Sequence, residues 1–193
     1  MLQGRAISDE HLVEGARRAL GEFGWEGATL ERIAEAAGVS RMTLHRRGVS
    51  RHGLLGRLAR ALEDDYRAAL WPPLTAPGSG RERLELALSA ECGVVEGNLE
   101  LLEALSGSVR AAVFHEQDPR GLTREVFVEP LRRILTDGVA DGSLRATDPG
   151  ETATVLFNLV GFTYRHLRVG HGWDPKRAQD RVLEIAIEGV AAR

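Results

Sequence analysis

The sequence predicts an all-α protein of about nine to ten helices, with a small three-helix head followed by a larger helical body. Apolar residues recur at three- and four-residue spacing along most of the chain, which is the period of an amphipathic helix. No stretch alternates with period two for long enough to predict a strand. Glycine and proline stand where one helical pattern stops and the next begins. We find no internal repeat or low-complexity tract.

The head is predicted to contain three helices, and Ser8 or Asp9 can cap the first of them. The first helix has an apolar face that includes Phe23, and Gly24 is expected to end it. Gly38 stops the second helix. The predicted helices are Ser8–Phe23, Leu30–Ala37 capped by Thr29, and Arg41–Arg47 capped by Ser40.

A long fourth helix follows, and the body is built from the helices after it. Trp71-Pro72-Pro73 breaks the fourth helix, since proline cannot continue the hydrogen-bond ladder. The segment Pro72–Gly80 is the candidate hinge or linker, and Pro130 is expected to kink its helix. We divide the chain into domains 1–50 and 51–193. The predicted helices are Ser50–Leu70, Arg81–Val95, Leu99–Ser106, Ser108–Phe114, Leu122–Val139, Pro149–Val169 and Pro175–Ala192.

Composition excludes several classes of protein. The chain is 43% hydrophobic and 27% charged, which is ordinary for a globular protein. No apolar run approaches the roughly 18 residues of a membrane span, and the first residues lack the apolar core of a signal peptide. The single cysteine, Cys92, cannot form an intrachain disulfide. We therefore expect a cytoplasmic protein that does not associate with membranes.

Charge is distributed unevenly along the chain. Residues 1–60 carry ten arginines and seven acidic residues, a balance of +3, although the whole chain has a net charge of −3. Ala36–Leu62 holds six arginines, two histidines and no acidic residue. A basic patch of this kind favours binding to the phosphates of a nucleic acid.

The segment Thr29–Arg47 combines this charge with a specific helical pattern. It predicts two short helices joined by a tight turn at Gly38, which is the helix-turn-helix arrangement. Small Ala34 and Ala37 allow close helix packing, and glycine supplies the left-handed backbone of the turn. The second helix would present a polar outer face to the major groove of DNA. An ordinary helical hairpin is the alternative interpretation.

Residues 8–55 resemble the head of the TetR (tetracycline repressor) family. The matching residues are Phe23, Gly24, Trp25, Ala28, Thr29, Ile33, Ala34, Ala37, Gly38, Val39, Ser40, Thr43 and Leu44. The resemblance implies a homodimer that binds double-stranded operator DNA and responds to a small-molecule effector. It implies that Thr29 and Ser40 bind phosphate, that Arg46 reads bases, and that the DNA-binding set is Thr29, Ser40, Arg41, Met42, Thr43, His45, Arg46, Arg47 and Arg51.

The chain departs from the family pattern after Leu44. An aromatic cluster is usual there, but this chain has His45-Arg46-Arg47-Gly48. Gly48 replaces the phenylalanine that helps to seat the recognition helix, and Val49 and Trp25 are the candidates to fill its place. The departure motivates an alternative function, a dimer of the same fold that binds ligands or proteins and has lost operator reading.

In the body, the resemblance implies a ligand cavity and a dimer interface built by the last two helices. An apolar cavity with few polar groups suits a hydrophobic small molecule, although core packing is the alternative for each residue. The candidate ligand-binding residues are Tyr66, Trp71, Cys92, Phe114, His115, Phe127, Phe157 and Asn158. The candidate dimer residues are Val155, Leu159, Phe162, Val182, Ile185 and Gly189.

Catalytic and metal-binding motifs find little support in the sequence. His115-Glu116 lacks the second histidine of a zinc helix, no phosphate-binding glycine loop occurs, and we expect no cofactor or metal. A small helical enzyme is therefore the third hypothesis. We predict a ligand-responsive transcriptional regulator, more specifically a repressor released from a palindromic operator, while the effector, the operator and the sign of regulation stay open.

Overall fold

The computed structural model of the chain describes residues 8–105, 110, 113–114 and 123–192. The helical prediction is confirmed, since α-helices dominate these residues and no strand occurs among them. The α-helices are α1 (Asp9–Gly27), α2 (Leu30–Ala36), α3 (Arg41–Arg46), α4 (Arg51–Leu70), α5 (Gly80–Gly97), α6 (Leu99–Ala104), α7 (Glu125–Ala140), α8 (Pro149–Val169) and α9 (Pro175–Val190).

The described residues form two compact units. The first holds the residues up to Leu62 together with those between Glu100 and Gly107, and the second holds those from Glu63 to Leu99 and after Ser108. Helix α4 is continuous and contributes residues to both units. The functional boundary predicted at residues 50 and 51 stays a prediction.

The caps of the first unit follow the sequence closely. Side chains of Ser8, Thr29 and Ser40 accept hydrogen bonds from backbone N–H groups three residues ahead and so begin α1, α2 and α3. Gly24 has φ +63° and interrupts the α1 helical path, but helical residues continue to Gly27. The expectation that Phe23 points inward is wrong, because this side chain is 36% exposed and lies under the guanidinium of Arg32.

A glycine allows α1 to approach the end of α2. A Cβ added to Gly15 would lie 2.6 Å from Ala37 Cβ and 2.8 Å from its Cα. Real Cβ atoms do not approach neighbours this closely, so only glycine fits here. Ala37, predicted as a small residue between α2 and α3, thus also meets α1, where Gly15 allows the approach.

The second unit is organised around α5, which packs against α7, α8 and α9. The turn after α7 caps the start of α5, because Asp141 Oδ2 accepts from the Gly80 N–H at 2.7 Å and Ser143 Oγ accepts from the Arg81 N–H at 3.0 Å. A Cβ on Gly80 would lie 2.2 Å from Gly138 Cα. Backbone therefore meets backbone where α5 crosses α7.

The prediction that Pro72–Gly80 is a hinge or linker is wrong. Pro72–Thr75 forms a short 3₁₀ helix that packs on α5 and α7, and Pro73 is buried. The whole segment lies inside the second unit. Proline ends α4 as predicted, but the chain then packs on the body because its apolar residues find burial there. Helix α7 runs through Pro130.

None of the helices in the described ranges is both long and apolar enough to cross a bilayer. Within the same ranges, no group of three or more His, Cys, Asp or Glu residues could hold a metal ion.

Candidate nucleic-acid interface

The turns before and after α3 repeat the same local geometry. Gly38 and Gly48 have φ of +67° and +63°, and each follows the last turn of a short helix. After α2, Gly38 N–H donates to Glu35 O and Val39 N–H donates to Ala34 O, both at 2.9 Å. After α3, Gly48 N–H donates to His45 O at 3.0 Å and Val49 N–H to Leu44 O at 3.1 Å. Both are Schellman endings, which need a left-handed residue.

This repetition is present in the sequence, and the prediction that the chain has no internal repeat overlooked it. Gly38-Val39-Ser40-Arg41 and Gly48-Val49-Ser50-Arg51 are the same tetrapeptide, ten residues apart. In each copy, glycine ends one helix and serine caps the next, since Ser50 Oγ accepts from Gly53 N–H at 3.0 Å as Ser40 Oγ accepts from Thr43 N–H at 3.2 Å. The repeat fixes both ends of α3.

Gly48 therefore leaves no gap to be filled. The residue is exposed, and a Cβ placed on it would meet nothing within 4 Å. The idea that Val49 or Trp25 fills the space of a lost aromatic ring is wrong, because position 48 lies outside the core. Val49 is half-buried, and Trp25 stacks under the guanidinium of Arg51, with the Cζ atom 4.0 Å from the ring centroid.

Helix α3 presents nearly all of its side chains outward. Leu44 is its one buried residue and anchors it to the head. Met42 is 61% exposed, and Thr43 is half-buried against the Ser40 hydroxyl at 2.9 Å. The remaining predicted DNA-binding residues on and after this helix are exposed: Arg41, His45, Arg46 and Arg47.

Two of the predicted DNA-binding arginines have partners in the head. Arg41 Nη1 lies 2.5 Å from Glu31 Oε1 on α2, and both side chains are largely exposed. Arg51 is half-buried, donates from Nη2 to the Trp25 carbonyl, and has a buried Nε without a hydrogen-bond partner. Arg51 thus joins the start of α4 to α1, a packing role that the sequence reasoning did not assign.

In the second unit, four of the predicted ligand-binding residues lie together. Tyr66 meets Phe127 and Phe157 at 5.4 Å between ring centroids and Phe114 at 6.1 Å. Phe127 stacks on Phe157 at 5.5 Å. All four are buried, and we call them the aromatic cluster. The four rings contact one another, so a ligand that binds among them would have to separate the rings.

The other predicted ligand-binding residues are placed differently. Cys92 is buried, and burial raises the pKa of its thiol to about 12. Asn158 donates to Thr123 Oγ1 at 2.7 Å. Trp71 is 38% exposed and faces Arg133, so the structure does not bring it to the aromatic cluster. His115 lies outside the described residues.

The predicted dimer residues divide into an outer face and the core. Val155, Leu159 and Phe162 lie along one side of α8 and are 61%, 42% and 38% exposed. Ile185 on α9 is 61% exposed, and Gly189 is exposed with open space around it. Val182 is only 6% exposed, so assigning it to a partner-facing surface is wrong. The side chain is instead buried within the second unit.

Sequence reasoning also missed two acidic residues of α5. Glu91 is completely buried, and both of its carboxylate oxygens lack a hydrogen-bond partner. Glu96 accepts from Arg168 Nε at 2.8 Å and from Tyr164 O–H at 2.9 Å, which ties α5 to α8. The available signal was an acidic residue on the apolar stripe of a helix, which ordinarily demands a partner.

Comparison with known proteins agrees with this geometry. Residues 12–58 match the family model described as bacterial regulatory proteins, tetR family. An HTH-type transcriptional regulator of Mycobacterium bovis is 26% identical over 163 residues, covering 84% of this chain and 83% of that protein.

Solved structures show the same fold over almost the whole chain. A TetR/AcrR-family transcriptional regulator from Thermobifida fusca has a TM-score of 0.71 at 19% identity, covering 94% of this chain and 98% of that one. A transcriptional regulator from Cytophaga hutchinsonii has a TM-score of 0.72 at 15% identity, covering 95% and 98%. Residues 12–58 thus match the tetR family of bacterial regulatory proteins, and the described helices share their fold with solved TetR/AcrR-family regulators.

Proposed function

We propose that this regulator is a ligand-responsive repressor, which binds a palindromic operator as a homodimer and leaves it when a small hydrophobic molecule binds in the body. The observation that carries the proposal is α3, which buries only Leu44 and exposes Arg41, His45 and Arg46. A recognition helix needs a polar outer face of this kind to reach base edges in the major groove.

The outer face of α8 and α9 supports dimerisation. Val155, Leu159, Phe162 and Ile185 are large apolar side chains that remain exposed on neighbouring helices. Grouped exposed apolar residues mark an interaction surface. A second copy of the chain would bury them symmetrically and present two recognition helices to a palindrome.

The position of Tyr66 supports a ligand response. Tyr66 lies on α4, and its ring forms part of the aromatic cluster. A ligand that separates the rings would therefore push on α4 through Tyr66. Arg124 and Glu63 add a second link, since Arg124 Nη1 lies 2.5 Å from Glu63 Oε1 on the same helix. For release, the ligand must favour the non-binding conformation by a few kcal/mol.

A gel shift against the DNA upstream of the chain's own gene tests the proposal. We expect specific binding at moderate salt, and we expect Arg46→Ala to weaken it by about 1–3 kcal/mol, which is the range for a base-reading arginine. Arg181→Ala removes the same charge from an exposed side chain of α9 and should leave binding unchanged. Equal binding by all three proteins, or no specific binding, would favour the alternative of a dimer that has lost operator reading.

A further inference from the structure

Glu91 is a buried carboxyl group without a partner. It is 0% exposed on α5, and neither Oε1 nor Oε2 accepts a hydrogen bond. Buried polar groups are almost always paired, since an unpaired group loses its hydration without compensation. Glu96, on the same helix, shows the usual arrangement with Arg168 and Tyr164. Among the described residues, the core of the second unit therefore holds a buried acidic group without a hydrogen-bond partner.

The surroundings of Glu91 are shaped to hold its carboxyl group. A Cβ on Gly161 of α8 would lie 2.9 Å from Glu91 Oε1, so glycine at that position leaves room for the carboxyl group. Burial, and after it the charge of Glu91, raises the pKa of the Tyr66 phenol. The ring of Tyr66 in turn contacts Phe127 and Phe157. Phe157 lies four residues before Gly161, which is one turn along α8, so the carboxyl group lies within about one helical turn of the aromatic cluster.

An anionic oxygen beside aromatic ring faces is the chemistry that recognises an organic cation. Ring faces attract positive charge, most strongly where water is excluded. A buried carboxylate is stabilised by an opposite charge within a few ångströms. A neutral hydrophobic ligand would bury the carboxyl group still unpaired.

We propose that Glu91 and the aromatic cluster form the effector site, and that its ligand class is an organic monocation with an apolar body, such as a quaternary or protonated amine. The proposal rests on the ligand-responsive function above and adds the ligand's charge to it. Gly161 provides the space for the carboxyl group, and the rings part to admit the apolar body.

Binding of such a cation is linked to a proton. Burial raises the pKa of Glu91 well above its usual range, so the empty site favours the protonated acid. The cation stabilises the ionised form, and its binding releases the proton to solvent. Below the pKa of the empty site, affinity therefore rises with pH, up to about tenfold per pH unit.

The test uses benzyltrimethylammonium and its uncharged carbon isostere, 2,2-dimethylpropylbenzene, in equilibrium dialysis with the full chain. The quaternary cation has the same charge at every pH, so any pH dependence of its binding comes from the protein. We expect the cation to bind more tightly as the pH rises. In Glu91→Gln, we expect its affinity to fall at least tenfold and its pH dependence to disappear.

The controls separate charge from packing. Glu85→Gln changes an exposed acid on the same helix and should leave cation binding unchanged. The neutral isostere should bind Glu91→Gln as well as it binds the wild-type chain. Failure of the wild-type chain to bind the cation, or equal loss of cation and isostere in Glu91→Gln, would overturn the proposal. If Glu91→Gln does not fold, pH-independent cation binding by the wild-type chain overturns it.

A gel shift with the same cation separates this proposal from the proposed function. Cation binding through Glu91 without release of operator DNA supports the site and contradicts release by this ligand. Release by an uncharged ligand, with no cation binding, supports the ligand-responsive function and overturns the assignment of ligand charge.

Discussion

At the residue scale, the surface that we propose to face DNA is set by which side chains of α3 find partners within the head. Leu44 is buried and holds the helix in place, while Arg46 stays exposed on the outer face. Arg41 differs, because Glu31 on α2 lies within ion-pair distance of it. In the proposed complex, a DNA phosphate would compete with this carboxylate for Arg41, so we expect Glu31 to limit DNA affinity.

Replacing Glu31 by Gln should strengthen DNA binding. The change frees the Arg41 guanidinium and removes a negative charge that repels phosphate. Exposed ion pairs are worth about 0.2–1 kcal/mol, so we expect a gain of roughly 1.4- to fivefold, measured by fluorescence anisotropy at fixed salt. Glu22→Gln, an exposed acid on α1, changes the charge of the head equally. A gain of the same size in Glu22→Gln would assign the effect to net charge alone.

At the element scale, α5 is the helix on which the body is assembled. Its start is capped by Asp141 and Ser143, and its first residue lies against the backbone of Gly138. Its end is tied to α8 by Glu96 and Arg168. Each end therefore depends on a residue far away in the sequence, which helical periodicity does not reveal.

The crossing of α5 and α7 should not tolerate a side chain at Gly80. A Cβ there would overlap Gly138, and backbone cannot move aside as a side-chain tip can. We expect Gly80→Ala to lower the free energy of unfolding by about 1–3 kcal/mol in urea denaturation. Gly93→Ala on the same helix has open space around it and should be neutral or stabilising by up to ~1 kcal/mol. Equal stability of Gly80→Ala and the wild-type chain would contradict the close crossing of α5 and α7.

The ion pair at the other end of α5 should make stability depend on pH. The Arg168 guanidinium, with help from Tyr164, holds the pKa of Glu96 below its usual range. A carboxyl group with a lowered folded pKa stabilises the fold above its unfolded pKa, and this contribution is lost as pH falls through the folded pKa.

The unfolding free energies of wild type and Glu96→Gln should therefore differ by about 1–2 kcal/mol near neutral pH, a value discounted for partial exposure. The difference should shrink as pH falls below about 4, which a series of urea denaturations measures. Glu184→Gln breaks an exposed pair with Arg181 on α9 and should change little at any pH. A difference that is constant with pH would rule out the charge as its source.

At the scale of the whole molecule, the apolar face of α8 and α9 determines the assembly that we propose. Val155 is 61% exposed and Leu159 is 42% exposed on the same side of α8. Exposed apolar residues are individually ordinary, but a contiguous group favours burial against a partner. Two-fold pairing of this face would bring together two heads, as a palindromic operator requires.

Placing a charge on this face should dissociate the dimer. We expect Val155→Glu to shift the chain toward monomer, because the two-fold interface would then bury two unpaired carboxylates, one from each copy. Light scattering after size-exclusion chromatography measures the mass. Val139→Glu changes an exposed valine of α7 and should leave the mass unchanged. A wild-type chain that is monomeric at micromolar concentration would contradict the assembly.

Local chemistry accounts for what could be predicted from the sequence. The caps at Ser8, Thr29 and Ser40 lie where the Ser and Thr pattern predicts, and α8 has the bounds that Asp148-Pro149 and the apolar period indicate. The outward face of α3 could be predicted in the same way, since one leucine among polar residues indicates a short amphipathic helix. These features depend on neighbours a few residues away.

Hydrogen bonds within a turn or two specify the helical pattern, the caps of α1, α2 and α3 and the head motif, so these features could be predicted from the amino acids alone. Which apolar residues are buried, and which acids are paired, became known from the folded chain. Val182 is buried while Ile185 is exposed, Pro72–Thr75 packs on the body, and Glu91 lies unpaired beside Gly161. The physical reason is that burial and pairing depend on contacts between helices distant in the chain, which no local pattern encodes.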